Sequence, residues 1–198
     1  PVLEDPGAGI WVKPDDSNIV LVGEIGAIRR TADGGTTWTE NDAAAFLSHD
    51  YSVTEFIQDV DDSNTIYAAV VNGETNNSKT GMVLVSHDLG VTWEDMDLLD
   101  GSSAQTITQA SNGDIYVGVG AEGGSSYKKG IYKYSEGTWE QLAGAPDEEV
   151  VKVLVDPDND DVVYAVASIA YGNNDTGNFG FYKSTDSGST WTKITDGL

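Results

Sequence analysis

Residues 31–38 read T-A-D-G-G-T-T-W, residues 86–93 read S-H-D-L-G-V-T-W and residues 184–191 read S-T-D-S-G-S-T-W. One phrase, S/T-x-D-x-G-x-T-W, therefore occurs three times in a single chain. A degenerate fourth copy, I-Y-K-Y-S-E-G-T-W at 131–139, is two residues shorter than F-Y-K-S-T-D-S-G-S-T-W at 181–191 and carries Glu136 in place of the aspartate. The closing tryptophans, Trp38, Trp93, Trp139 and Trp191, lie 55, 46 and 52 residues apart. A period of about 50 residues decides architecture before any local reading does.

Upstream of each phrase the order of signals repeats: a short apolar run, a polar turn, a second apolar run, a variable loop, and the strand that enters the phrase. In the last repeat these are 150–155, the turn D-P-D-N-D-D at 156–161, 162–167, a long loop, 181–184 and 191–194. β-branched and aromatic residues with Gly/Asn/Asp punctuation favour strands, and no segment reads as a helix. Four antiparallel strands per repeat of this length are the blade of a β-propeller, where sheets bury one another face to face. The expectation is an all-β chain of four blades spanning 1–198, with blades at 9–41, 54–97, 104–142 and 149–195. Four blades are few for such a ring, so remaining blades or another chain are expected to complete it. A chain that opens at Pro1 is expected to be a processed or excised piece.

Within the phrase, Asp33, Asp88 and Asp186 can accept backbone N–H groups across a tight hairpin. Gly35, Gly90 and Gly188 permit positive φ, and the indoles are expected to pack between neighbouring sheets. A residue repeated in every blade cannot converge on one site, so the role is architectural rather than catalytic. The phrase resembles the Asp box, or bacterial neuraminidase repeat. The fuller wording V-D-P-D-N-D-D-V-V-Y-A-V at 155–166, with S-N-G-D-I-Y-V at 111–117 and G-I-Y-K-Y-S-E-G-T-W at 130–139, is most similar to xyloglucanase-type glycoside hydrolases. Sortilin-like receptors and photosystem assembly factors share the phrase. The resemblance implies a secreted, polysaccharide-active protein. It implies an inverting carboxylate pair too, yet no acidic residue here can be matched to those roles, which leaves a non-catalytic extracellular or cell-surface binding module as the alternative. Sialidase chemistry is excluded because that family clamps its substrate with three arginines, whereas Arg29 and Arg30 are the only two present.

Composition narrows the partners. Lys+Arg 10 against Asp+Glu 33 gives a net charge of −23, which excludes nucleic acid and disfavours anionic membranes. With 39% hydrophobic residues the chain can still bury a core. The longest apolar stretch, 162–170, falls far short of the roughly 20 residues a membrane helix needs. Cysteine is absent. No cofactor is implied and no metal site is expected: Asp156-x-Asp158-x-Asp160 opens like a calcium loop, but Asp161 and Ala167 stand where it needs glycine and a bidentate glutamate. His49 and His87 lack partners for zinc.

In an up-and-down blade the turns after the first and third strands share one face, and the loops between the second and third strands share the other. The first blade has only Gly23-Glu24-Ile25-Gly26 there, but the others carry long loops, where binding concentrates. Their amides, hydroxyls and single aromatics, with Asn76, Asn77, Tyr127, Tyr171, Asn173, Asn174, Asp175 and Phe179 as candidates, suit a neutral polyhydroxylated ligand such as a glycan or polysaccharide. Lys79, Lys128 and Lys129 lie among them, and Glu24, Glu74, Glu122 and Asp175 are the acidic residues of this face.

Overall fold

The computed structural model describes residues 6–41, 43, 47, 51–72, 81–98, 103–120, 128–168 and 179–195. Its elements are strands, grouped into four antiparallel sheets whose strand order follows the sequence. The first sheet holds β1 (Pro6–Val12), β2 (Val20–Glu24), β3 (Ala27–Thr31) and β4 (Thr39–Glu40). The second holds β5 (Tyr51–Gln58), β6 (Ile66–Asn72), β7 (Met82–Ser86) and β8 (Glu94–Asp95). In the third are β9 (Ala104–Gln109), β10 (Ile115–Val119), β11 (Gly130–Ser135) and β12 (Thr138–Gln141). The fourth contains β13 (Glu149–Asp156), β14 (Asn159–Ser168), β15 (Gly180–Ser184) and β16 (Thr192–Ile194).

The chain divides into two compact units, Pro1–Leu98 and Leu99–Leu198, each containing two sheets packed face to face. In the first unit Leu21 and Ile28 of the first sheet meet Val53, Phe56, Ile66, Ala68, Val70, Leu84 and Trp93 of the second. In the second unit Ala110, Tyr116 and Ile131 of the third sheet meet Val150, Val153, Val163, Ala165 and Tyr182 of the fourth. Period-2 alternation puts these residues on one face of each strand, and burying them is the main favourable term.

The two interfaces are built alike. Gly23 in β2 and Gly118 in β10 occupy the same place in their repeats, and both admit the first strand of the next sheet. A Cβ would stand 2.6 Å from Val53 at Gly23 and 2.6 Å from the Val150 carbonyl oxygen at Gly118. Each first strand also carries an irregularity in its register, at 7–9, Thr54, Gln105 and Val151. Such bulges bend and twist the strand.

Two local readings differ from the structure. The segment 156–161 is not one open turn, because Asp156 pairs with Asn159 and only Pro157 and Asp158 form the bend. Side-chain bonds explain the tightness: Asp158 N–H donates to Asp156 Oδ1 at 3.0 Å and Asp161 N–H to Asn159 Oδ1 at 3.1 Å. The four indoles also have separate fates. Trp93 is buried beside Phe56, and Trp191 packs against the edge of the second core. Trp38 donates to its own hairpin at Gly35, while Trp139 lies against Tyr134 of its own sheet.

Gly90 and Gly188 combine positive φ with close approach to the preceding sheet. A Cβ would lie 2.5 Å from Leu21 Cδ2 at Gly90 and 2.5 Å from Leu142 Cδ1 at Gly188. Gly113 has φ +92 with nothing within 4 Å, so it isolates the backbone cost. Urea unfolding is expected to show Gly90→Ala and Gly188→Ala destabilised by roughly 2–4 kcal/mol and Gly113→Ala by about 1 kcal/mol. Equal losses at all three positions would show that the contact between sheets contributes nothing.

Candidate functional site

The turn face is dominated by the repeated hairpin. In its first copy the Asp33 carboxylate accepts the Thr31 hydroxyl (2.8 Å) and Thr37 N–H (2.8 Å) on Oδ1, and the Thr37 hydroxyl (2.6 Å) on Oδ2. Thr31 Oγ1 in turn accepts the N–H groups of Asp33 (3.2 Å) and Gly35 (3.0 Å). Asp88 with Ser86, Gly90 and Thr92, and Asp186 with Ser184, Gly188 and Thr190, repeat the same five bonds. Each hairpin is also tied to the first turn of its sheet: Gly34 N–H donates to Asn18 O, Leu89 N–H to Asn64 O and Ser187 N–H to Asp161 O, at 2.9–3.1 Å. In the third sheet a two-residue turn replaces this network. Ser135 pairs with Thr138, and Glu136 (φ 50) and Gly137 (φ 84) supply the left-handed backbone. Glu136 therefore has a backbone role and does not stand in for the aspartate.

The hairpin of one sheet reaches the sheet before it. The Leu89 carbonyl accepts Arg30 Nε at 2.9 Å, and the equivalent Ser187 carbonyl accepts the Tyr116 hydroxyl at 3.1 Å. Asp160 adds a second clasp, its carboxylate taking Ser111 N–H (2.9 Å), the Ser111 hydroxyl (2.6 Å) and Asn112 N–H (3.1 Å). That carboxylate, which opened the comparison with a calcium loop, is thus engaged between the third and fourth sheets. Donors converging on a carboxylate favour its charged form. The Thr37 hydroxyl and N–H, with the Thr31 hydroxyl, hold Asp33 at a pKa of about 2. Asp186 is lowered by Thr190 and Ser184. At Asp88 partial burial pushes the pKa up, and the bonds from Thr92 and Ser86 outweigh it.

Of the binding candidates, Asn76, Asn77, Tyr127, Tyr171, Asn173, Asn174 and Asp175 lie outside the described residues, as do Lys79, Glu74 and Glu122. Phe179 stands at the entrance to β15 and is 42% exposed, and Lys193 Nζ lies 5.2 Å from its ring centroid. Lys193 pairs across the sheet with Tyr182, whose phenol is pushed up by burial and then by the charge of Glu148. Glu148, just before β13, is buried, and its Oε2 lies 3.6 Å from Lys129 Nζ with no hydrogen-bond partner. The backbone fixes this corner: Gly130 N–H donates to the Glu148 carbonyl at 3.0 Å and Gln141 Nε2 to the Lys129 carbonyl at 3.0 Å. In the first sheet Glu24 is buried against Arg29 (3.0 Å), which also reaches Glu40 (3.2 Å). Sequence reading missed Glu148, because D-E-E-V at 147–150 gives no sign of which acid turns inward.

No protein-family model and no curated protein matches the sequence. Solved structures do match. An ancestral GH74 enzyme superposes with TM-score 0.76 at 22% identity, over 100% of this chain and 26% of that one. The GH74 xyloglucanase from Xanthomonas campestris gives 0.73 at 21%, over 94% of this chain and 29% of its own. GH74 from Niastella koreensis gives 0.67 at 24%, over 94% and 29%. These sheets are β-propeller blades. This chain spans between 26% and 29% of the length of those structures.

Blade by blade, the loop face presents Glu24 with Arg29 in the first blade. In the third and fourth it presents an exposed ring, two ammonium groups and a buried carboxylate: Phe179, Lys193, Lys129 and Glu148. Such a set can stack on apolar C–H surface and exchange hydrogen bonds with hydroxyls. On the opposite face the hairpin carboxylates make a pH test. Asp33's folded pKa is depressed, so the stabilisation is present above about pH 4, the ordinary range for the unfolded chain, and is lost as pH falls towards about 2. Carboxyl carbon NMR is expected to place the Asp33 midpoint near pH 2, and Thr37→Val to move it up towards ordinary aspartates. A wild-type midpoint near 4 would contradict the bonding described.

Proposed function

We propose that this chain is a set of Asp-box propeller blades from an extracellular polysaccharide-active protein of xyloglucanase type, and that its loop face binds a neutral glycan chain. The observation that carries the reading is Phe179, a ring left open on the rim of a long loop, with the Lys193 ammonium over it and the Glu148–Lys129 pair in the same blade pair. A sugar ring offers C–H faces to the phenyl and hydroxyls to the charged groups. The loops that flank this corner in sequence carry Tyr127, Tyr171, Asn173, Asn174 and Asp175, which suit the same ligand. The likeness to GH74 folds supports the setting, and remaining blades would supply the rest of the cleft.

A second reading, a binding module without turnover, is favoured by the way the described acids of this face are held. Glu24 is tied to Arg29 and Glu148 faces Lys129, whereas inverting hydrolysis needs one acid and one base facing each other across about 6.5–9.5 Å. Incubation with xyloglucan and related β-glucans separates the two. Reducing-end release supports hydrolysis, and retention on the polysaccharide without release supports the module. Phe179→Ala is expected to weaken retention about tenfold; unchanged retention, or no retention by the wild type, counts against a glycan on this face.

A further inference from the structure

The last strand of each blade runs from the hairpin to the loop face, and it carries one residue at a constant place, two positions after the closing tryptophan. That residue pairs with the third residue of the blade's third strand: Glu40 with Arg29, Asp95 with Leu84, Gln141 with Tyr132 and Lys193 with Tyr182. The register is the same four times, while the side chain is an acid twice, an amide once and an ammonium once. A constant frame with a changing tip is how a rigid scaffold varies what it recognises.

The third and fourth blades show how the tip is aimed. Gln141 extends past Gly130, where a Cβ would stand 3.6 Å from Gln141 Nε2, and that nitrogen donates to the Lys129 carbonyl at 3.0 Å. Lys193 lies over Gly180, where a Cβ would stand 2.9 Å from Lys193 Cε, and its ammonium is 5.2 Å from the ring centroid of Phe179. Both glycines open the third strand of their blade, at φ of 95° and 137°. Each side chain therefore crosses the entry glycine and ends on the residue before it. A methyl group at position 180 would push the lysine stem off this path, because the stem yields more easily than the strand beneath it.

We propose, resting on the reading of this face as a glycan site, that Lys193 is the specificity-determining residue of the fourth blade and that Gly180 is the positioning residue that delivers it. Phe179 supplies the apolar surface on which a sugar stacks, and the ammonium beside it donates to an oxygen of the same sugar. An ammonium has three donors and no acceptor, so it selects oxygen lone pairs, which the ring and glycosidic oxygens of every internal sugar present. In the third blade the equivalent amide is turned onto backbone at Lys129, and in the first Glu40 is turned onto Arg29 at 3.2 Å. Of these three, the fourth blade is the one that sets its tip beside an exposed ring.

Affinity electrophoresis through xyloglucan tests this on the wild type, Phe179→Ala, Lys193→Met, Lys193→Arg, Gly180→Ala and the double variant Gly180→Ala/Lys193→Met, with circular dichroism melts to check folding. Lys193→Met, which keeps the stem and removes the donors, is expected to weaken retention about tenfold. Lys193→Arg restores charged donors and should stay within about threefold of the wild type. Gly180→Ala should lose about as much as Lys193→Met, and the double variant no more than either, since both remove one contact. Equal losses from Gly180→Ala with and without the lysine overturn the positioning role, because the glycine then acts on the strand; if Gly180→Ala fails to fold, the contrast between Met and Arg at 193 decides. Wild-type retention by Lys193→Met while Phe179→Ala is weakened overturns the inference and leaves the glycan site standing. Absence of retention by the wild type overturns that site and the assignment of Lys193 with it.

Discussion

The fold depends on a carboxylate that satisfies its own hairpin. Four strand-to-strand turns among the described residues hold two consecutive residues at positive φ, Gly34–Gly35, Leu89–Gly90, Glu136–Gly137 and Ser187–Gly188, and all but the third carry the aspartate. That conformation costs roughly 1–2 kcal/mol for a residue with a Cβ, a cost that the bonds around Leu89 and Ser187 offset. The bonds that Asp88 and Asp186 receive from the threonine four residues on, and the serine that gathers two N–H groups beneath, determine the turn. With every local donor consumed, the carbonyl at the strained position points away from its own sheet and is free to accept from another.

That outward carbonyl links local structure to assembly. It receives Arg30 in one unit and Tyr116 in the other, two unlike donors arriving from the same direction. Beside it the glycine lets Leu21 or Leu142 close to van der Waals contact. Hydrophobic burial drives the faces together but is indifferent to small slides. A directional bond beside a steric notch fixes the slide, so the hairpin sets the register of sheet on sheet while the apolar rows supply the attraction. The third blade tests this division of labour within the molecule. Its Glu136–Gly137 turn has no carboxylate network, and Asp160 of the fourth blade grips its other turn at Ser111 and Asn112.

The repeated phrase and the alternation of apolar residues were enough to read the blades, because both are local patterns with a fixed period. Tyr116 and Tyr164 show where such reading stops. They occupy equivalent positions in their repeats, I-Y-V at 115–117 and V-Y-A at 163–165, yet one is buried between sheets and the other is exposed, since burial depends on what lies next to the sheet. Asp160 looked like part of a solvated turn because its donors are 48 and 49 residues away. Glu148 gave no signal at all. Its inward turn follows from the Gly130 N–H bond and the corner built with Tyr182, neither of which has a sequence signature.

The two faces of the blades obey different physics, and this bears on function more than any single residue does. On the turn face nearly every donor and acceptor of the phrase is spent within the hairpin or on the neighbouring sheet, leaving little unspent polarity for a ligand. The described part of the loop face is held by backbone bonds such as Gly130 N–H to the Glu148 carbonyl and by the ion pairs of Glu24 with Arg29 and Glu148 with Lys129. Phe179 is exposed and Lys193 lies over it; Glu148 retains an oxygen without a hydrogen-bond partner despite being buried. That oxygen lies 3.6 Å from Lys129 Nζ, and the opposite charge offsets part of the cost of burying it. The repeated hairpin bonds therefore assign the turn face to architecture.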